Sequence, residues 1–189
     1  MKKVYILFSR TDTIPAKAIR LFTTGPFSHI SIAIRPDTGG FYSYARRKIN
    51  NPFISGLISE DTHKNIFAKY PDTPAALYEL EVTDEAYDSI QNQICYYWEH
   101  EKEATYNFAG MVPMLLGIPI RRKFKFTCSQ FVAILLQNAN AIKLPKNPYI
   151  MKPNDFLAIK ELKPVYKGCL KDCHFPQEAP EPANEQIAG

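Results

Sequence analysis

Residues 27 to 46 contain the feature that most restricts the fold: "FSHISIAI", then "RPDTGG", then "FYSYARR". The first segment alternates, with Ile30, Ile32 and Ile34 on one face and His29, Ser31 and Ala33 on the other. A Pro- and Gly-containing turn returns the chain into an aromatic-rich partner strand. The predicted unit is a β-hairpin with a loop longer than two residues. A lone hairpin is marginal in water, so more strands must extend it and another layer must cover its apolar face.

The rest of the chain supplies both. "KVYILFS" near the start and "ALYELEV" at 76–82 read as strands. "IPAKAIRLFT" has Ile14, Ala18 and Leu21 at helical spacing. Thr83 is a candidate N-cap, with Asp84 and Glu85 in the first turn and Tyr87, Ile90, Ile94 and Tyr97 as the buried stripe of a long helix. "NNPFISG" and "KYPDTPA" read as irregular connections, and "YNFAGMVPMLLG" as a short helix interrupted near Pro113. "IRRKFKF" reads as a strand or extended lead into a helix from Cys128 to Asn138, followed by a short helix in "KPNDFLAIK" and an extended "LKPVYKG". Helices and strands do not alternate regularly, which favours α+β over a doubly wound parallel sheet.

The 189 residues suit one domain, taken as 1–175. Residues 176–189 are rich in Pro, Glu and Ala with almost no large apolar side chains, and read as a mobile tail. The apolar run after Lys2 and Lys3 is too short for a signal-peptide core, and the longest apolar stretch is cut by Pro113, Gly117 and Pro119. The expectation is a cytoplasmic protein without a membrane span, whose four cysteines are thiols. A net charge of +4 gathers partly in "ARRK" at 45–48 and "RRKFK" at 121–125, but no nucleic-acid motif accompanies these clusters, and nucleic acid is not expected as a partner. "RRKFKF" fits either a surface facing an anionic substrate or a solvated edge strand. "CLKDCH" offers Cys169, Cys173 and His174 but no second ligand pair to close a zinc site, so no metal or cofactor is expected.

Chemistry is concentrated in "FKFTCSQFVAILL", residues 124–136. Thr127 can cap the helix, which places Cys128 in its first turn, where free N–H groups and the helix dipole stabilise a thiolate. Phe131, Val132, Leu135 and Leu136 form the buried stripe, so Cys128 reads equally as a buried structural thiol or as a nucleophile. A nucleophile needs a base, and of four histidines only His29 lies in a clearly predicted regular element, beside the small Ser31 and Ala33.

Together "SHISIAI" and "TCSQFVAILL" resemble the permuted papain-like branch of the NlpC/P60 superfamily, the group of the YaeF/YiiX-type proteins and the lecithin:retinol acyltransferase relatives. In that branch the His strand precedes the Cys helix. The resemblance extends over "GPFSHISIAI", "FYSYAR", "TYNFAG" and "FTCSQFV", most of residues 4–138. It implies a mainly antiparallel sheet packed against the helix that carries the cysteine.

It also implies a cysteine hydrolase or amidase. Cys128 would attack an amide or ester, His29 would act as general base, and a thioester would form, on a small peptide, cell-wall fragment or lipid. Matching "SYA" to the family's orienting position puts Tyr44 there. A phenol cannot stabilise an imidazolium as a carboxylate does, so Ser43, or Glu79 or Glu81, are the other candidates, or the enzyme works as a dyad. Tyr106 in "TYNF" matches an aromatic position whose hydroxyl points into the site, and is otherwise a core tyrosine. An acyltransferase of related fold and a catalytically silent binding module are the alternative functions.

Overall fold

The computed structural model describes residues 1–10, 25–36, 40–48, 51–60, 70 and 72–175, with the side chains of 48 and 51–53 excepted. The helix predicted at 14–23 and the tail at 176–189 lie outside these residues.

Six strands form one antiparallel sheet: β1 (Lys2–Ser9), β2 (His29–Ala33), β3 (Phe41–Lys48), β4 (Asn51–Glu60), β5 (Pro74–Val82) and β8 (Lys163–Cys169). Their order is β4-β3-β2-β1-β5-β8. The predicted hairpin is present as the adjacent antiparallel pair β2–β3, with Ile32 opposite Tyr42. A two-stranded parallel ribbon joins β6 (Thr105–Tyr106) to β7 (Lys125–Phe126). Among the described residues there are three α-helices: α1 (Asp84–Glu99), α2 (Phe108–Leu115) and α3 (Cys128–Asn138). The molecule is therefore α+β with a mainly antiparallel sheet.

The period-two pattern divides the core. Ile6, Phe8, Ile30, Ile32, Tyr44 and Leu57 project into the larger cluster, which α1 and α3 cover. Tyr5, Leu7, Ala33, Phe41 and Leu77 project to the other side, closed by Leu170 and Cys173 beyond β8. α3 is buried from Cys128 through Leu136 rather than along one stripe. It packs on β2 and β3 on one side and meets α1 and the 3₁₀ turn at Pro148–Ile150 as well.

Three local expectations change. "NNPFISG" belongs to the ten-residue strand β4, whose Pro52 is tolerated because β4 is at the sheet edge. α2 runs through Pro113 instead of breaking there: Pro113, its sixth residue, cannot donate to Ala109 O, yet the helix continues to Leu115 and Leu116 N–H donates to Val112 O at 3.2 Å. "IRRKFKF" contributes only Lys125–Phe126 as strand, because Phe124 takes a left-handed φ of 54° that extended backbone does not use. "KPNDFLAIK" does carry a short helix, of 3₁₀ type, at Pro153–Ala158. No helix among the described residues is long and apolar enough to cross a membrane.

Candidate active site

The site is assembled from the starts of two elements. Cys128 is the first residue of α3, and His29 is the first residue of β2, not a mid-strand position. Cys128 lies beside the His29 imidazole, close enough for its sulfur to favour the imidazolium.

Each start is fixed by a different device. At α3, Gln130 N–H donates to Thr127 Oγ1 at 3.2 Å, and Gln130 Oε1 accepts from Thr127 N–H at 2.9 Å, a reciprocal capping box. The Gln130 amide then donates to Tyr149 O at 2.7 Å, and Ser129 Oγ donates to Met151 O at 2.6 Å. These bonds satisfy buried polar groups and tie the helix start to the 148–151 segment. At β2, Asn154 clamps the entering backbone: its Oδ1 accepts from Phe27 N–H at 3.1 Å and its amide donates to Phe27 O at 2.8 Å. Gly25 has φ +136°, and a Cβ there would stand 2.3 Å from Asn154 Cγ, so glycine is required for the clamp to close.

The imidazole is held by a carboxylate. His29 Nε2 lies 2.7 Å from Glu60 Oε1. Ser43 Oγ donates to the same carboxylate oxygen at 2.9 Å and stands 3.3 Å from Nε2. The His29 side chain is 16% exposed and that of Glu60 is 5% exposed, so the contact is largely shielded from water. Burial alone disfavours the imidazolium. The negative charge of Glu60, with the neighbouring Cys128 sulfur and the hydrogen bond to Glu60, outweighs it and holds His29 well above its usual range.

Tyr106 completes the group. Its side chain lies beside Cys128, and burial together with the nearby sulfur pushes the phenol well above its ordinary value. The β6–β7 ribbon holds it in place, with Thr105 N–H donating to Phe124 O and Asn107 N–H to Phe126 O, both at 3.0 Å.

Of the residues singled out in the sequence, Cys128, His29 and Tyr106 come together. Tyr44 does not join them through its hydroxyl, which is buried without a hydrogen-bond partner among the described residues while its ring packs on Phe126 and Phe131. The reason is strand alternation: Ser43 and Tyr44 face opposite sides of β3, and Ser43 is the one beside the imidazole. Glu79 and Glu81 are engaged elsewhere, with Lys3 and Lys163. Glu60 was missed because "NNPFISG" reads as a connection. The signal was present in "FISGLISE", where Ile54, Ile58 and Glu60 share a parity that carries a carboxylate to the strand end.

Among the described residues no group of three or more His, Cys, Asp or Glu side chains is arranged to hold a metal ion. No model of a known protein family matches the chain, and no curated protein is significantly similar to it.

Proposed function

We propose that the chain is a cysteine hydrolase or amidase, with Cys128 as nucleophile, His29 as acid–base and Glu60 as the group that orients and charges the imidazole. The observation that carries the reading is one imidazole held between a thiol and a buried carboxylate. This is the nucleophile–base–orienter arrangement of thiol acyl transfer. The His strand before the Cys helix supports a permuted papain-like fold of the NlpC/P60 type.

With Nε2 directed at Glu60, Nδ1 is left for the sulfur. The thiol proton passes to His29, which Glu60 favours in its charged form. The thiolate attacks the carbonyl carbon and forms a C–S bond, while the carbonyl electron pair moves onto oxygen. Two donors suit that oxyanion: the Tyr106 hydroxyl and the N–H of Cys128, which precedes the first intrahelical bond, made by Phe131 N–H to Thr127 O at 3.1 Å. As the tetrahedral species collapses, the bond to the amine or alcohol breaks and His29 delivers the proton to it. Water then attacks the thioester, giving its proton to His29, and the thiol is regenerated with release of the acid. Substrates are amides or esters of small peptides, cell-wall fragments or lipids.

Cys95 is exposed and serves as an internal control. Iodoacetamide at about pH 6 should alkylate Cys128 far faster than Cys95 in peptide maps, and His29→Ala should abolish the difference. Equal rates for the two thiols, or fast Cys128 alkylation that survives His29→Ala, would sink the catalytic reading.

A further inference from the structure

Next to the thiol, the chain exposes large apolar side chains in an unusual concentration. Along α2 and the turn after it, Phe108, Val112 and Leu116 follow one another at four-residue spacing, and Ile118 and Ile120 continue the patch. Val112, Leu116 and Ile118 are 64%, 72% and 52% exposed. A monomeric surface scatters single apolar residues but seldom strings five of them together over so short a segment.

Along the segment that carries this patch the charge is of one sign. From Ala104 to Asn154 the sequence has no Asp or Glu, but seven Lys or Arg. Arg121 and Lys123 are exposed immediately after Ile120. Insertion of the apolar side chains among acyl chains, with long basic side chains remaining among the head groups, is the complementarity that an anionic bilayer offers. The patch also adjoins the site, since the rings of Phe108 and Tyr106 are 4.8 Å apart and Tyr106 lies beside Cys128.

We infer that α2 and the segment through Lys123 form a docking surface for the face of an anionic lipid bilayer, with Phe108, Val112, Leu116, Ile118 and Ile120 entering the interface and Arg121 and Lys123 meeting lipid phosphates and carboxylates. The docking does not depend on the chemistry proposed for Cys128.

Flotation of the full chain with two kinds of vesicle tests it: phosphatidylcholine alone, and phosphatidylcholine with about one lipid in three replaced by phosphatidylserine. The wild type should float with the anionic vesicles, remain below the neutral ones, and be released as salt is raised. Val112→Glu with Leu116→Glu should reduce the bound fraction by about tenfold or more, since two charges must then enter the apolar layer. Both positions are exposed, and unchanged circular dichroism and melting would show that the fold is intact. Cys128→Ala should float like the wild type, which separates docking from catalysis. The inference is overturned if the wild type does not float, if the double glutamate variant with intact fold floats equally well, or if Cys128→Ala abolishes flotation. A dimer that the double variant converts to monomer, without vesicle binding, would assign the patch to a second copy and likewise overturn it.

Discussion

Glu60 Oε1 stands 2.7 Å from His29 Nε2, although the two residues belong to β4 and β2 and a whole strand lies between them. β3 bridges the gap with Ser43, whose hydroxyl touches both partners. A three-residue relay across three neighbouring strands thus ends at the imidazole that faces Cys128.

Glu60→Gln keeps a polar side chain at this place and removes its charge. The imidazolium then loses its main support against burial, and the His29 pKa should fall. Histidine resonances followed by NMR titration should show that fall, and Cys128 alkylation at about pH 6 should slow by roughly a hundredfold. An unchanged His29 titration would remove Glu60 from its assigned role.

The same contact sets a pH signature in stability. Because the folded pKa of His29 is raised above the unfolded value of 6.5, its contribution is fully present below that value and is lost as pH rises through the folded pKa. The gap in urea midpoint between wild type and Glu60→Gln should therefore be widest near pH 6 and narrow steadily on the alkaline side. A gap that widens with pH would mean that the carboxylate is not pairing with a charged imidazole.

Two tyrosines should part ways. The Tyr44 hydroxyl is buried without a partner among the described residues, so Tyr44→Phe should be neutral or stabilising, within about 1 kcal/mol, and should leave Cys128 reactivity unaltered. Tyr106→Phe removes the hydroxyl beside the sulfur and should change the alkylation rate by about tenfold, with little effect on melting. The reverse pattern would restore Tyr44 to the site and reduce Tyr106 to packing.

Gln130 links the cap of α3 to Tyr149, and truncation to alanine leaves the buried Thr127 N–H and the Tyr149 carbonyl unpaired. Chemical denaturation of Gln130→Ala should show a loss of about 2–4 kcal/mol. A loss below about 0.5 kcal/mol would show that water satisfies both groups.

Local patterns in the sequence determined much of this molecule. Alternation specifies β2 and β3, because a one-residue slip would turn Ile30 and Ile32 away from the core. Thr127 and Gln130 specify the start of α3 and so the place of Cys128, since a cap needs only neighbours within one turn. The partner of His29 was a different kind of question. Tyr44 was the reading that local motif matching favoured, whereas Glu60 lies in a segment whose Asn51, Pro52 and Gly56 weaken its strand signal. Only the pairing of β4 on β3, with Ser43 opposite Ile58 and Phe41 opposite Glu60, carries that carboxylate to the imidazole. Tertiary structure decided it because the energy of burying a charge depends on what else the fold brings within hydrogen-bond reach, which spacing along the chain does not encode.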